Sequence, residues 1–329
     1  QGLFALKTEQ PLRGAIMGHC LCLTAEHADE HQQEVEPFPG KKEVIDSRLE
    51  QMTVLLEHGV KYTGQWKGNK RDGKGVQDWP DGARFDGQWK DGLAEGFGKF
   101  MHADGDIYEG QWQEDKANGE GIYHHADGSR YVGQWKDDQK EGQAVEEWAD
   151  NSRFEGQYRF GKKHGRGKFT WPEGSSYAGD FLDNEIHGVG SYSWNDGRVF
   201  TGQWANNRMS GTGTFTWKDG RRYVGHYSND KKEGRGVFTW PDGREYDGEW
   251  RDGKQHGVGV FKTAKGDLRC GEWKDGVRVR WISEAYREDG RGPPGPAHVP
   301  VASRVDWNSD AQAGTVETNV ENNVITQDA

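Results

Sequence analysis

Between residues 62 and 268, apolar and polar side chains alternate in short runs, the period of a half-buried strand and not of a helix. Residues 223–245 show the unit. Tyr223, Gly225 and Tyr227 fall on alternate positions, a polar loop follows, and Gly234, Gly236, Phe238 and Trp240 alternate again before Pro241-Asp242-Gly243. Tyr246 then restarts the same order. The period is 23 residues: Tyr62, Phe85, Tyr108, Tyr131, Phe154, Tyr177, Phe200, Tyr223 and Tyr246 each open a unit, and Arg269 stands where a tenth aromatic is due. A fixed spacing of this kind marks a repeat architecture.

Each unit predicts two short strands. In the first, Tyr62, Gly64 and Trp66 face one way while Thr63 and Gln65 face the other. Glycine beside rings has a physical reason, because a residue without Cβ lets a ring lie flat on the backbone. Asp81-Gly82, Asp104-Gly105, Asp127-Gly128, Asp196-Gly197, Asp219-Gly220 and Asp242-Gly243 predict the tight turns between units. The fold class expected is an all-β repeat protein, an elongated twisted meander of antiparallel β-hairpins with a short N-terminal helix. Nine repeats give about eighteen strands and, at roughly 4.8 Å per strand, a length of ~85 Å before twist shortens it.

The helix is read in residues 41–58, where Ile45, Leu49, Met52 and Leu56 recur at helical spacing and Gly59 supplies a stop. Residues 41–60 are expected to cap the open end of the array, or alternatively to bind a partner. Residues 1–40 form a poorly structured acidic segment. The array occupies 61–281, with nine full repeats over 62–268 and a partial tenth over 269–281. Residues 282–329 read as a disordered acidic tail whose GRGPPGPAHVP stretch is a linker or an adaptor ligand.

Composition sharpens this picture. Only 32% of residues are hydrophobic, yet there are 15 Trp and 49 Gly, so the apolar material is aromatic and periodic instead of aliphatic. The net charge of −11 sits mainly at the ends: residues 1–61 carry 6 basic and 10 acidic side chains, residues 282–329 carry 3 and 8, and 62–281 holds −2. A near-neutral array argues against nucleic acid. Three cysteines give no disulfide framework and suit a reducing compartment. No apolar run approaches the ~20 residues of a membrane helix. The first residue is Gln1 and not Met, which reads as a fragment.

Chemistry is harder to find. His19, Cys20, Cys22, His27 and His31 are metal-ligand types without zinc-finger spacing. His164, His187 and His256 occupy equivalent loop positions and read as a solvated row, while His102 and His125 replace Trp79-type residues in the aromatic face. The Gly-x-Gly pairs precede no helix and no Gly-Lys-Ser/Thr, so they are not phosphate loops. No catalytic constellation, metal site or cofactor is expected.

The units resemble the MORN repeat (membrane occupation and recognition nexus): YTGQW with Gly73 and Gly75, FDGQW with Gly96 and Gly98, YDGEW with Gly257 and Gly259. Departures are Ala144, Glu146 and Asn151 in repeat four, and Tyr158, Phe181 and Tyr227 in place of Trp. Repeat four reads as a decayed unit held by its neighbours, or as a kink and recognition site. The resemblance implies a non-catalytic scaffold or adaptor in cytoskeletal, ciliary or cortical assemblies. It would be cytoplasmic, and its placement could extend to the inner face of the plasma membrane.

Two readings of the aromatic face stay open. In one it is a surface for an extended or helical protein segment, made by Trp66, Trp89, Trp112, Trp135, Tyr158, Trp204, Tyr227, Trp250, Trp171, Trp194, Trp217 and Trp240. In the other the rings stack on one another as core. The alternatives for function are a peripheral protein that binds anionic phospholipid, and a regulatory segment of a larger enzyme such as a phosphatidylinositol phosphate kinase. The phospholipid site would use Lys162, Lys163, Arg166, Lys168, Arg221, Arg222, Lys231 and Lys232. Homodimerisation through a terminal repeat is a further expectation, since a truncated repeat leaves a sheet edge.

Overall fold

Alternation built on a single period yields one kind of element. The computed structural model describes residues 50–287, and among these there are 21 strands, β1 to β21 in chain order, in one sheet. The expected segment 1–40, the Cys/His cluster near Cys20 and residues 288–329 of the expected 282–329 tail lie outside the described residues, while the first residues of that tail join the array, with Ile282 N donating to Cys270 O and Tyr286 bridging Leu268. The chain divides into two compact units, residues 50–176 with 180–185, and residues 177–179 with 186–287. In each unit consecutive strands pair antiparallel, as in β2 (Lys61–Lys67) with β3 (Lys70–Asp78).

Register explains the sequence period. In the first unit Gly64 pairs Gly75, Gly75 pairs Gly87, and the column continues through Gly98, Gly110, Gly121 and Gly133 to Ala144, Gly156 and Gly167. In the second it runs from Gly190 to Gly271 without a side chain. The ring that opens each repeat lies on this column. A Cβ at Gly98 would stand 2.5 Å from Phe85 Cζ, so glycine is required there by close approach. The first Trp of the next repeat closes the layer: Trp112 Nε1 donates to the Gly98 carbonyl at 2.9 Å, and Trp204, Trp250 and Trp89 do the same to Gly190, Gly236 and Gly75.

Two further ladders hold the hairpins. In six of the described repeats a first-strand glutamine accepts the backbone N–H across the bulge, as Gln88 Oε1 does from Phe97 at 2.7 Å. An Asp or Asn at the hairpin tip reaches back one repeat: Asp115 Oδ1 accepts from Ala94 N at 2.6 Å, Asp138 from Ala117, Asn207 from Ile186 and Asp230 from Met209. These tip residues take positive φ, which Asn and Asp tolerate better than other non-glycine residues.

The helix expected over 41–58 is corrected where it can be seen. Glu50–Leu55 is strand β1, antiparallel to β2, with Met52 opposite Gly64 and Val54 opposite Tyr62. The free edge of the first repeat offers a row of unpaired backbone groups. A segment carrying Thr53 and Val54 satisfies them as a strand, which outweighs the helical spacing of Met52 and Leu56. Gly59 does take a left-handed conformation, φ 79°, but it ends a 3-10 turn before β2. Residues 41–49 lie outside the described residues.

Candidate binding surface

The aromatic positions separate into two classes. Trp89, Trp112, Trp135, Tyr158, Trp204, Tyr227 and Trp250 are buried, each packed edge-on against the ring that opens its own repeat. They form the core and have little surface left to offer a partner. Trp66 is half-buried beside Tyr62. The second class, Trp171, Trp194, Trp217 and Trp240, is also half-buried and lies just past the second strand, where the Asp-Gly turn begins. Trp148 occupies the same place in repeat four.

In the second unit these tryptophans are built identically. Trp194 N donates to Arg198 O at 2.9 Å and Gly197 N to Trp194 O at 3.0 Å, closing the turn. Asp196 Oδ1 accepts from Arg198 N, its Oδ2 accepts from Arg198 Nε at 2.7 Å, and the guanidinium carbon then stands 5.1 Å from the Trp194 ring centroid. The same arrangement recurs at Trp217, Asp219 and Arg221, and at Trp240, Asp242 and Arg244, with the guanidinium 5.4 Å from each ring. Sequence reasoning named Arg221 only as a phospholipid contact and missed Arg198 and Arg244, although the Trp-x-Asp-Gly-Arg string at 23-residue spacing was there to find. In the first unit the corresponding turn residues are Ala83, Asp106, Ser129, Ser152 and Ser175.

Asp106 makes a different cluster. It accepts from the Tyr123 hydroxyl at 2.9 Å and lies 3.1 Å from His125 Nδ1. His102 packs on Phe100 at 4.5 Å, so both histidines sit in the ring layer as their position predicts. Burial lowers the His102 pKa below the usual histidine value. His164, His187 and His256 stand on separate hairpins, and among the described residues no group of three or more His, Cys, Asp or Glu could hold a metal ion.

The basic residues expected to meet phospholipid divide too. Lys162, Arg166, Lys168, Arg222 and Lys231 are exposed, with Arg166 paired to Asp180 at 3.3 Å and Lys231 to Asp252 at 2.9 Å; Arg221 is half-buried against Trp217. Lys163 and Lys232 are not surface charges. Lys163 is buried over the Trp148, Phe154, Tyr158 and Phe169 rings. Lys232 lies 4.7 to 5.3 Å from Trp250, Phe238, Trp217 and Tyr223, and burial, helped by Arg221, lowers its pKa to about 8. Both occupy the inward-facing position that is Ala94 or Ala117 in earlier repeats, which alternation in a polar loop does not reveal.

Repeat four is not simply decayed. Strands β8 (Arg130–Lys136), β9 (Gln139–Glu147) and β10 (Arg153–Arg159) place Glu146 between Tyr131 and Phe154, a position filled by a ring in every other full repeat except the first, which has Gln77. Lys140 Nζ meets Glu146 Oε1 at 2.5 Å, both side chains at 4% exposure or less, and the Tyr158 hydroxyl donates to Oε2. Burial would raise the Glu146 pKa, but Lys140 and Lys163 outweigh it and hold the carboxyl below its ordinary value.

A comparison with known families matches the MORN repeat at residues 62–84, 85–107, 108–130, 131–153, 154–176, 177–197, 200–221, 223–243 and 246–268. No curated protein matches the chain. Among solved structures, a mutant of the TCP10 domain of Danio rerio CPAP is 15% identical with a TM-score of 0.36, covering 64% of this chain and 99% of its own. The SAS-4 (dCPAP) TCP domain of Drosophila melanogaster, in complex with a Proline Rich Motif of Ana2, is 11% identical with a TM-score of 0.27, covering 66% and 99%. Likeness at these scores carries no argument about function.

Proposed function

Because the chain belongs to the MORN-repeat family, we propose that its repeat scaffold is non-catalytic and binds protein partners along the turn-side row of half-buried tryptophans. One observation carries this reading. The ring layer covers itself almost completely, and the half-buried tryptophans that keep part of their surface recur at Trp171, Trp194, Trp217 and Trp240, one per repeat, whereas the exposed Phe97 and Phe160 stand singly. Half-exposed aromatics beside arginine are the composition that dominates binding hot spots. Assignment to cytoskeletal, ciliary or cortical assemblies is supported by the family resemblance alone.

The test replaces Trp171, Trp217 and Trp240 by histidine in the full chain, the residue that the array already holds at His102 and His125. Proteins captured from native lysate by the wild type, with or without detergent, should be lost by the variant while its far-UV dichroism is unchanged. Capture that survives in the folded variant would put the binding surface elsewhere.

A second reading, binding of anionic phospholipid, is favoured by one feature, the exposed Lys162, Lys168, Arg222 and Lys231. It requires liposome binding that falls steeply with salt. The burial of Lys163 and the partial burial of Lys232 weaken it.

A further inference from the structure

The division into two units also divides the charge. Residues 50–176 with 180–185 carry 18 basic and 26 acidic side chains, a net −8; residues 177–179 with 186–287 carry 18 and 13, a net +5. The three Trp–Arg turns all belong to the positive unit. In each, Asp takes only the guanidinium Nε, and the two terminal amino groups of Arg198, Arg221 and Arg244 make no hydrogen bond to another described residue. The arginines remain accessible, with side-chain exposures of 38%, 42% and 47%. Each turn is therefore a rung with an apolar plate, the tryptophan, and a pair of unspent cationic donors above it.

The spacing of the rungs selects the ligand's conformation. Phe215 bridges Trp194 and Trp217 at centroid distances of 5.2 and 4.4 Å, and Phe238 bridges Trp217 and Trp240 at 5.5 and 4.6 Å. Successive plates thus stand at most about 10 Å apart, close to the ~9.6 Å of two strand spacings. A polyproline II helix places residues i, i+3 and i+6 on one face at steps of ~9.3 Å. A β-strand returns to the same face every ~6.7 Å. An α-helix does so after two turns, ~10.5 Å, with a drift of ~20°. Of the three, the polyproline II step lies nearest the ~9.6 Å of two strand spacings and within the ~10 Å bound.

We propose that the rungs at Trp194, Trp217 and Trp240 bind an acidic polyproline II segment of a protein partner, one turn per rung. Its prolines lie on the tryptophan plates and a carboxylate on every third residue meets the free guanidinium donors. Charge selects the second unit: in the first, the turn residues are Ser129, Ser152 and Ser175, and the net charge is of the wrong sign. This assignment rests on the scaffold reading above and names the partner's chemistry.

The test uses the full chain and labelled synthetic peptides, read by fluorescence anisotropy. The peptide (Glu-Pro-Pro)4 should bind. (Lys-Pro-Pro)4 should not. (Glu-Gly-Ser)4 has the same charge without the conformation, and (Glu-Pro-Pro-Pro)4 has the conformation with a four-residue charge period; each should bind at least tenfold more weakly. Arg221→Ala should weaken (Glu-Pro-Pro)4 at least fivefold with unchanged dichroism. If Arg221→Ala disturbs folding, Arg244→Ala at the outer rung reads the same contact. Equal binding of (Glu-Gly-Ser)4 reduces the surface to a charge patch and overturns the proposal, as does indifference to both arginine variants or no binding at all. Should no peptide bind while the tryptophan variants still lose captured protein, the scaffold reading stands and the polyproline assignment fails.

Discussion

Replacing Glu146 by glutamine keeps the shape of the side chain and removes its charge, which isolates the buried ion pair. In the wild type, Lys140 and Glu146 are nearly inaccessible, 2.5 Å apart, and the second carboxylate oxygen takes the Tyr158 hydroxyl. Neutralising the acid leaves Lys140 charged and buried without its partner, a change that costs about 3–5 kcal/mol in comparable sites. The pair itself adds little over an apolar alternative, because desolvating two ions consumes most of their attraction. Repeat two shows that alternative: Phe100 and Ala94 hold the places of Glu146 and Lys140 in the same register, Phe100 opposite Phe85 and Ala94 opposite Trp89. The double variant Lys140→Ala/Glu146→Phe should therefore be more stable than Glu146→Gln, yet below wild type, because Tyr158 loses an acceptor worth roughly 1 kcal/mol and buried Lys163 loses the Glu146 charge. Urea unfolding at pH 7, followed by tryptophan fluorescence and dichroism at constant m, measures all three proteins. A Glu146→Gln cost below about 1 kcal/mol would refute the burial argument. A double variant no more stable than the single would refute the coupling. The pH dependence follows from the depressed Glu146 pKa: its stabilisation is complete above the ordinary carboxylate range and is lost as pH falls through the folded value, a loss absent from Glu146→Gln.

Three other perturbations test the layer around that site. Gly98→Ala drives a methyl group into the Phe85 ring and should destabilise by about 3 kcal/mol or more, read as a fall in Tm. Asp138, raised to about 6 by burial, carries its charge unfavourably above that pH, so wild-type stability rises as pH falls from 6 towards 4. Asp138→Asn keeps the acceptor for Ala117 N, as Asn207 does for Ile186; it should add about 1–2 kcal/mol at pH 7 and nothing below pH ~4. Lys232, lowered to about 8 against 10.5 unfolded, should make stability rise with pH between those values, and Lys232→Met should abolish the slope in urea titrations.

What the sequence disclosed and what it withheld follow from which interactions leave a periodic trace. Strands, turns and the ring-over-glycine layer repeat every 23 residues, so Phe85, Gly98 and Trp112 announce one another. Gln88 and Asp115 also recur at fixed places, yet their partners are backbone N–H groups, which no residue type marks. Met52 and Leu56 misled because helical spacing over four residues is weak beside an open sheet edge that any extended segment can satisfy. The inward lysines were hidden for a different reason. In a hairpin whose register shifts at a bulge, parity counted from one strand does not carry into the next, and Lys163 and Lys232 fall on the core side of loops that read as solvated. The proposed binding surface at the turns follows from where the rings are used up. Most rings inside the strands are claimed by a glycine column or a neighbouring ring, and the tryptophans past the second strand are the ones that keep part of their surface once per repeat from Trp171 to Trp240. On the proposal made above, a partner reads this array once per repeat, at the turn, and its own periodicity matches that step.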